Sequence, residues 1–274
     1  MTQRGTLAAC PAVIGINVDI ESLDAESAGN AGLFGRHSYG RYGFREGVAR
    51  LVQTLAQLDA KATFYALPAD LSRHPEIASS LLDAGHEIAV RGRVAKDASA
   101  EQLVNALGAE REAMTKAIGR APAGWRAVDG IMTEQTLPAL ARLGYAYDAS
   151  FMDDDVPYVL KDAAGAQLVE LPVCDYLSDA PFYTQRHTHA RVGKAWQEEA
   201  EAQYCAGGYV HLTLHTRGDT GSSRLPRIAV VADFVRGLQR KPGVAFYRAD
   251  ELASFWREQS TVSYDFPTAP RPNL

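Results

Sequence analysis

The chain has 274 residues, 46% hydrophobic and 22% charged, enough to bury a full core without disulfide staples. A net charge of -5 excludes the clustered Lys and Arg that binding to nucleic acid or an anionic membrane requires. The three cysteines, Cys10, Cys174 and Cys205, lie far apart with no CxxC, which excludes a disulfide framework and a zinc knuckle. Leu7 to Cys10 (LAAC) mimics a lipoprotein cleavage box, but too little apolar sequence precedes it, and no run is long enough to span a bilayer. The expected location is the cytoplasm.

In chain order, Ala12 to Ile20 (AVIGINVDI) predicts a buried strand, followed by a Gly-, Ser- and Asn-rich loop to about Gly43. Phe44, Val48, Leu51, Leu55 and Leu58 recur at helical spacing. ATFYALP predicts a strand, and a helix follows from Pro75 to the stop at Ala84-Gly85. HEIAV is a strand. Ser99 to Gly119 is a helix opened by a Ser99/Gln102 capping box. GWRAV is a strand and Thr133 to Gly144 a helix with Thr133 as cap. YAYDAS, LVELPV and YVHLTLH predict strands, with a helix near Lys194 to Tyr204. Ile228, Val231, Val235 and Leu238 mark a helix, GVAFYR a strand, Asp250 to Gln259 a last helix, and residues 260–274 a tail.

Such alternation predicts parallel strands with helices outside, and seven or eight strands in one run favour a barrel over an open sheet. In a barrel, reactive groups sit at the C-terminal ends of strands. That rule nominates Asp19, Glu21, Arg91, Arg93, Arg126, Asp148 and His215.

NVDIE (Asn17 to Glu21), GRYGFREGVARLVQTL, ATFYALP, LLDAGHEIA, GWRAVDG, LGYAYDASFMDDDVPY, LVELPV and HLTLHTRG together resemble the polysaccharide deacetylase family. This is the NodB-homology group of carbohydrate esterases. The resemblance is closest to the branch that includes peptidoglycan deacetylase-like proteins, cyclic imide hydrolases and a metal-independent allantoinase. It implies an α/β fold, a distorted (β/α) barrel of about seven strands formed by one domain over 1–274. It further implies hydrolysis of a non-peptide carbon–nitrogen bond in a small amide, imide or sugar substrate, and a homo-oligomer.

Residue by residue, the resemblance makes Asp19 the base that activates water, Arg126 its orienter and His215 the acid that protonates the leaving nitrogen. Glu21 falls where the family places a metal-ligating acid. Substrate contacts are expected from Glu21, Arg93, Trp125, Asp153, Asp154 and Tyr42, the last on a glycine-rich loop over the barrel mouth.

One departure governs the reading. The family's metal signature is His-Gly-x-x-His after the HEIA strand, and here those histidines are Arg91 and Ala95. A guanidinium offers donors only and alanine offers nothing, so the zinc that is the family norm is not expected and Arg91 supplies fixed positive charge instead. The alternatives are an inactive binding or assembly protein and a glycan deacetylase that recruits metal through other histidines. His187 and His189 would share one face of a strand, but no third ligand is evident and solvated loop histidines are the expectation.

Overall fold

The computed structural model describes residues 12–20, 39–260 and 263–267; Cys10, Glu21 and His37 lie outside them. Strand β1 is Ala12–Asp19. A helical turn at Tyr39–Tyr42 and a wide π-helical turn at Gly43–Gly47 lead into α1, Val48–Gln57. Gly47 is required there, because a Cβ would sit 2.4 Å from the carbonyl oxygen of Thr216. The close approach seats α1 against the segment that follows His215.

The chain continues through β2 (Thr63–Ala66), α2 (Pro68–Arg73), α3 (Pro75–Asp83) and β3 (Glu87–Gly92). Helix α4 (Ala100–Ile118) opens with the Ser99/Gln102 capping box that its sequence specifies. Then come β4 (Gly124–Ala127), α5 (Thr136–Arg142), β5 (Tyr147–Asp148), β6 (Tyr158–Lys161) and β7 (Gln167–Glu170). Helix α5 starts one turn later than predicted; Thr133 is in the preceding turn, its N–H donating to Thr136 Oγ1. The last elements are α6 (Asp179–Thr184), α7 (His189–Ala206), β8 (Tyr209–His215), α8 (Leu225–Gln239), β9 (Val244–Tyr247), α9 (Ala249–Gln259) and β10 (Ser263–Asp265).

The wall of the barrel runs in the order β8-β1-β2-β3-β4-β5-β7, seven strands that pair in parallel. Among the described residues no ladder joins β7 to β8, which is the distortion of the barrel. Two strands were not predicted, nor were helices α2 and α6. Strand β6 pairs antiparallel with β7, and β10, inside the stretch read as a tail, pairs with β6.

Period-two alternation sorts each strand. Phe64, Ile88, Val90, Trp125, Val210, Leu212 and Leu214 face the helices in the larger core. Tyr65, Ala89, Tyr147, Val169 and Tyr209 face inward, where Ala249, Leu252 and Ala253 of α9 join them. Helix α9 thus fills the N-terminal end of the barrel. Its first turn is held by two strand side chains: Ala249 N–H donates to Thr63 Oγ1 at 2.8 Å and Asp250 N–H to Glu87 Oε2 at 2.9 Å.

Burial and the nearby Asp250 carboxylate push Glu87 up to about 7, against the hydrogen bonds it accepts from Thr63, Asp250 and Tyr147. The folded state therefore binds this proton more tightly than the unfolded chain, and stability contributed by Glu87 falls as pH rises from about 4.5 through 7. Glu87→Gln is expected to remove about 3 kcal/mol of the loss between pH 5 and 8. Urea unfolding at both pH values measures it; equal slopes for both proteins would refute it.

Candidate active site

The strand registers assemble the site. Asp19 is the register partner of His215 across β1 and β8, and Arg91 is the partner of Arg126 across β3 and β4. All four belong to the inward-facing set at the C-terminal ends, as barrel logic requires. They line a cavity of about 310 Å³, with Ser150, Met152 and Ser178 among its walls.

Asp19 is at the centre, 1% exposed. Its Oδ2 is in direct contact with Arg91 Nη1, 3.4 Å from His215 Nε2 and 3.8 Å from Arg126 Nη2. Its Oδ1 is buried with no hydrogen bond among the described residues. Burial would raise the Asp19 carboxyl, but Arg126, Arg91 and His215 overcome it and hold it well below the usual carboxylate range. Asp19 is therefore a permanent anion and a weak proton acceptor.

A residue that sequence reasoning missed completes the arrangement. Asp179, 0% exposed at the start of α6, accepts from His215 Nδ1 at 2.6 Å, His215 N–H at 3.0 Å and Ser222 N–H at 2.7 Å. A bridge between Ser178 and Thr213 brings this helix start to β8. Two backbone donors orient Asp179 toward the ring, so Nδ1–H donates to it and Nε2 is directed at Asp19. The local signal was Ser-Asp-Ala-Pro, an acidic residue just before a proline at a helix start.

Gly92 explains how Arg91 is held. A Cβ there would meet Trp125 Nε1 at 2.1 Å and Glu110 Oε2 at 2.5 Å. Glu110 accepts from Trp125 Nε1 and from the Arg93 N–H, locking the end of β3. Below, the Arg126 guanidinium lies over the Tyr65 ring and its Nη1 donates to Thr213 Oγ1 at 3.5 Å. Thr213 in turn meets His211 Nδ1, and burial plus Arg126 press His211 down to about 3, so it is a neutral core histidine.

Several expected contacts fall elsewhere. Trp125 is fully buried behind the sheet because its neighbour Arg126 faces in. Arg93 is exposed, since β3 ends at Gly92 and the next residue leaves the barrel. Asp153 accepts the Tyr158 hydroxyl, and Asp154 accepts from the N–H groups of Asp155 and Val156, so both build a turn. Tyr42 is helical, not on a loop; its ring lies against Arg224 and its hydroxyl donates to Ser223 O. Glu21 lies outside the described residues. His187 and His189 flank the start of α7, with their rings against Phe182 and Tyr183.

The donor set does not fit the zinc that the resemblance makes the norm. Arg91 occupies the place of the first histidine, offers only N–H groups, and contacts the carboxylate a cation would need. Among the described residues no group of three or more His, Cys, Asp or Glu is arranged to hold a metal.

Residues 39–147 match the polysaccharide deacetylase family model. Over that stretch the chain is similar to polysaccharide deacetylases. A solved structure from Mycobacterium smegmatis, assigned to the polysaccharide deacetylases, is 29% identical to this chain. It covers 98% of this chain and 96% of that one, with a TM-score of 0.86. A PuuE allantoinase is 20% identical over 94% of each chain, at a TM-score of 0.81. A family 4 carbohydrate esterase pseudoenzyme from Bacillus anthracis shares the fold more distantly, at 11% identity and a TM-score of 0.56, over 88% of this chain and 65% of that one. No curated protein sequence matches the chain. No helix among the described residues is long and apolar enough to cross a membrane.

Proposed function

We propose that this chain hydrolyses a non-peptide carbon–nitrogen bond in a small amide, imide or ureide, and that it does so without a bound metal. The observation that carries the proposal is the placement of Arg91, a cation paired with Asp19 where the family norm would put a metal ligand. Water bound beside Asp19 attacks the acyl carbon and loses its proton to the carboxylate. Arg91 and Arg126 stabilise the negative charge that develops on the acyl oxygen. The proton on Asp19 passes to His215 Nε2, 3.4 Å from Oδ2, and from there to the departing nitrogen as the carbon–nitrogen bond breaks, which resets the site.

A base this weak limits the reaction to activated carbonyls, because guanidinium does not acidify water as a Lewis acid does. Strained imides and ureides meet that requirement, and the likeness to an allantoinase structure supports the same class. The assay is protein treated with chelator against a panel of cyclic imides, ureides and N-acetylated sugars. Turnover that survives chelation and falls about 10²–10⁴-fold in Asp19→Asn is the expected result; turnover lost with chelator overturns it. A second reading, an inactive binding module, is favoured by the engagement of Asp19 Oδ2 by three cationic partners at once. A silent panel, with ligand binding unchanged in Asp19→Asn, selects that reading.

A further inference from the structure

Asp148 on β5 and Glu170 on β7 are register partners on adjacent parallel strands, and both are 0% exposed. Both carboxyl groups accept from the same Ser150 N–H, at 3.1 and 3.2 Å, so they lie side by side, with Glu170 Oε2 buried and without a hydrogen bond among the described residues. The groups around them supply no countercharge. From β6 comes Tyr158, the partner of Glu170, whose hydroxyl donates to Asp153. From β8 comes Tyr209, which lies near both Glu170 and Arg126. From α9 comes Arg257, whose guanidinium donates to the carbonyl oxygen of Ala146.

We propose that Asp148 and Glu170 hold one proton between them and that this shared proton builds the wall of the cavity. Glu170 Oε1 accepts from the N–H groups of Ser150 at 3.2 Å and Phe151 at 3.0 Å. Asp148 Oδ2 accepts from Ser150 N–H at 3.1 Å, and its Oδ1 from Ser150 Oγ at 2.9 Å. Ser150 Oγ accepts in turn from Ala127 N–H at 2.8 Å, next to Arg126. Ser150 and Met152 line the cavity, so the pair sets the position of that wall whether or not the cavity is catalytic. Removing the shared proton puts two anions side by side in a desolvated place, and the wall is released.

The direction of titration agrees with the geometry. Burial raises both carboxyls, and the Asp148 charge adds to the rise at Glu170, so the proton resides mainly there. The two residues are then not interchangeable. In Glu170→Gln, the amide oxygen accepts from Ser150 and Phe151 and the amide N–H donates to Asp148, as the protonated acid does. In Asp148→Asn, an N–H₂ group replaces an oxygen where only donors converge.

The test uses the intact protein in three measurements. Infrared spectroscopy at neutral pH should show a protonated-carboxyl band that is lost in Glu170→Gln. Hydrogen exchange at Ser150 and Phe151 should accelerate by about tenfold per pH unit beyond ordinary base catalysis as pH rises from the ordinary carboxyl range to the pair's last ionisation, and Glu170→Gln should abolish the excess. Asp148→Asn should lose protection at those amides at every pH, or fail to fold. An unchanged band in Glu170→Gln, or the same loss of protection in both variants, overturns the proposal. Because no measurement involves turnover, its failure is distinct from failure of the hydrolase reading.

Discussion

Replacing Arg91 by methionine is expected to destabilise the protein by about 3–5 kcal/mol, the range for removing one partner of a buried ion pair. Arg91 is 4% exposed and Asp19 1%, so neither charge can recover its loss from water. Arg126 and His215 remain but lie 3.8 and 3.4 Å from Asp19 Oδ2, too far to replace the direct contact. Asp19→Asn/Arg91→Met removes both charges, and most of the lost stability should return. A double-mutant cycle by chemical unfolding measures the coupling. Equal losses in the double variant and Arg91→Met would show that Arg91 acts through packing alone. Turnover should vanish in both, since one lacks the cation and the other lacks the base as well.

The second large effect is Asp179→Asn. Asp179 accepts three hydrogen bonds, two from backbone N–H groups and one from His215 Nδ1. The asparagine can satisfy the backbone donors with its oxygen only by turning its N–H₂ group toward Nδ1. That forces the proton from Nδ1 to Nε2 in the neutral ring and removes the anion that stabilises imidazolium. Turnover is expected to fall about 10²–10⁴-fold, the range for loss of general acid–base catalysis. Substrate KM should change little, since Asp179 is fully buried behind His215. A fall in kcat of less than about tenfold would remove His215 from the proton path.

Much of this was legible in the sequence for a physical reason. Strand ends in a parallel barrel converge, so Asp19, Arg91, Arg126 and His215 could be found from residue type and position alone. The failures also follow from backbone geometry. Trp125 is expected from the resemblance to touch substrate, but it neighbours the inward-facing Arg126, and neighbours on a strand face opposite ways. Arg93 would share a face with Arg91 only if β3 continued, and it stops at Gly92. Asp179 was invisible because its partner lies 36 residues away on another element. Strand β10 is three residues long, below the length at which periodicity is readable. Tyr42 was placed on a loop because its glycines suggested one, yet Gly43 serves close packing against Thr216.

Helix α9 stoppers one end of the barrel with Ala249, Leu252 and Ala253. Among the described residues, the cavity is therefore reached from the opposite end, where the exposed Met152 lines it. If the proposed hydrolysis holds, product and reactant would share that end, and a carboxylate product would be the most persistent occupant of the floor that Arg91 and Arg126 make.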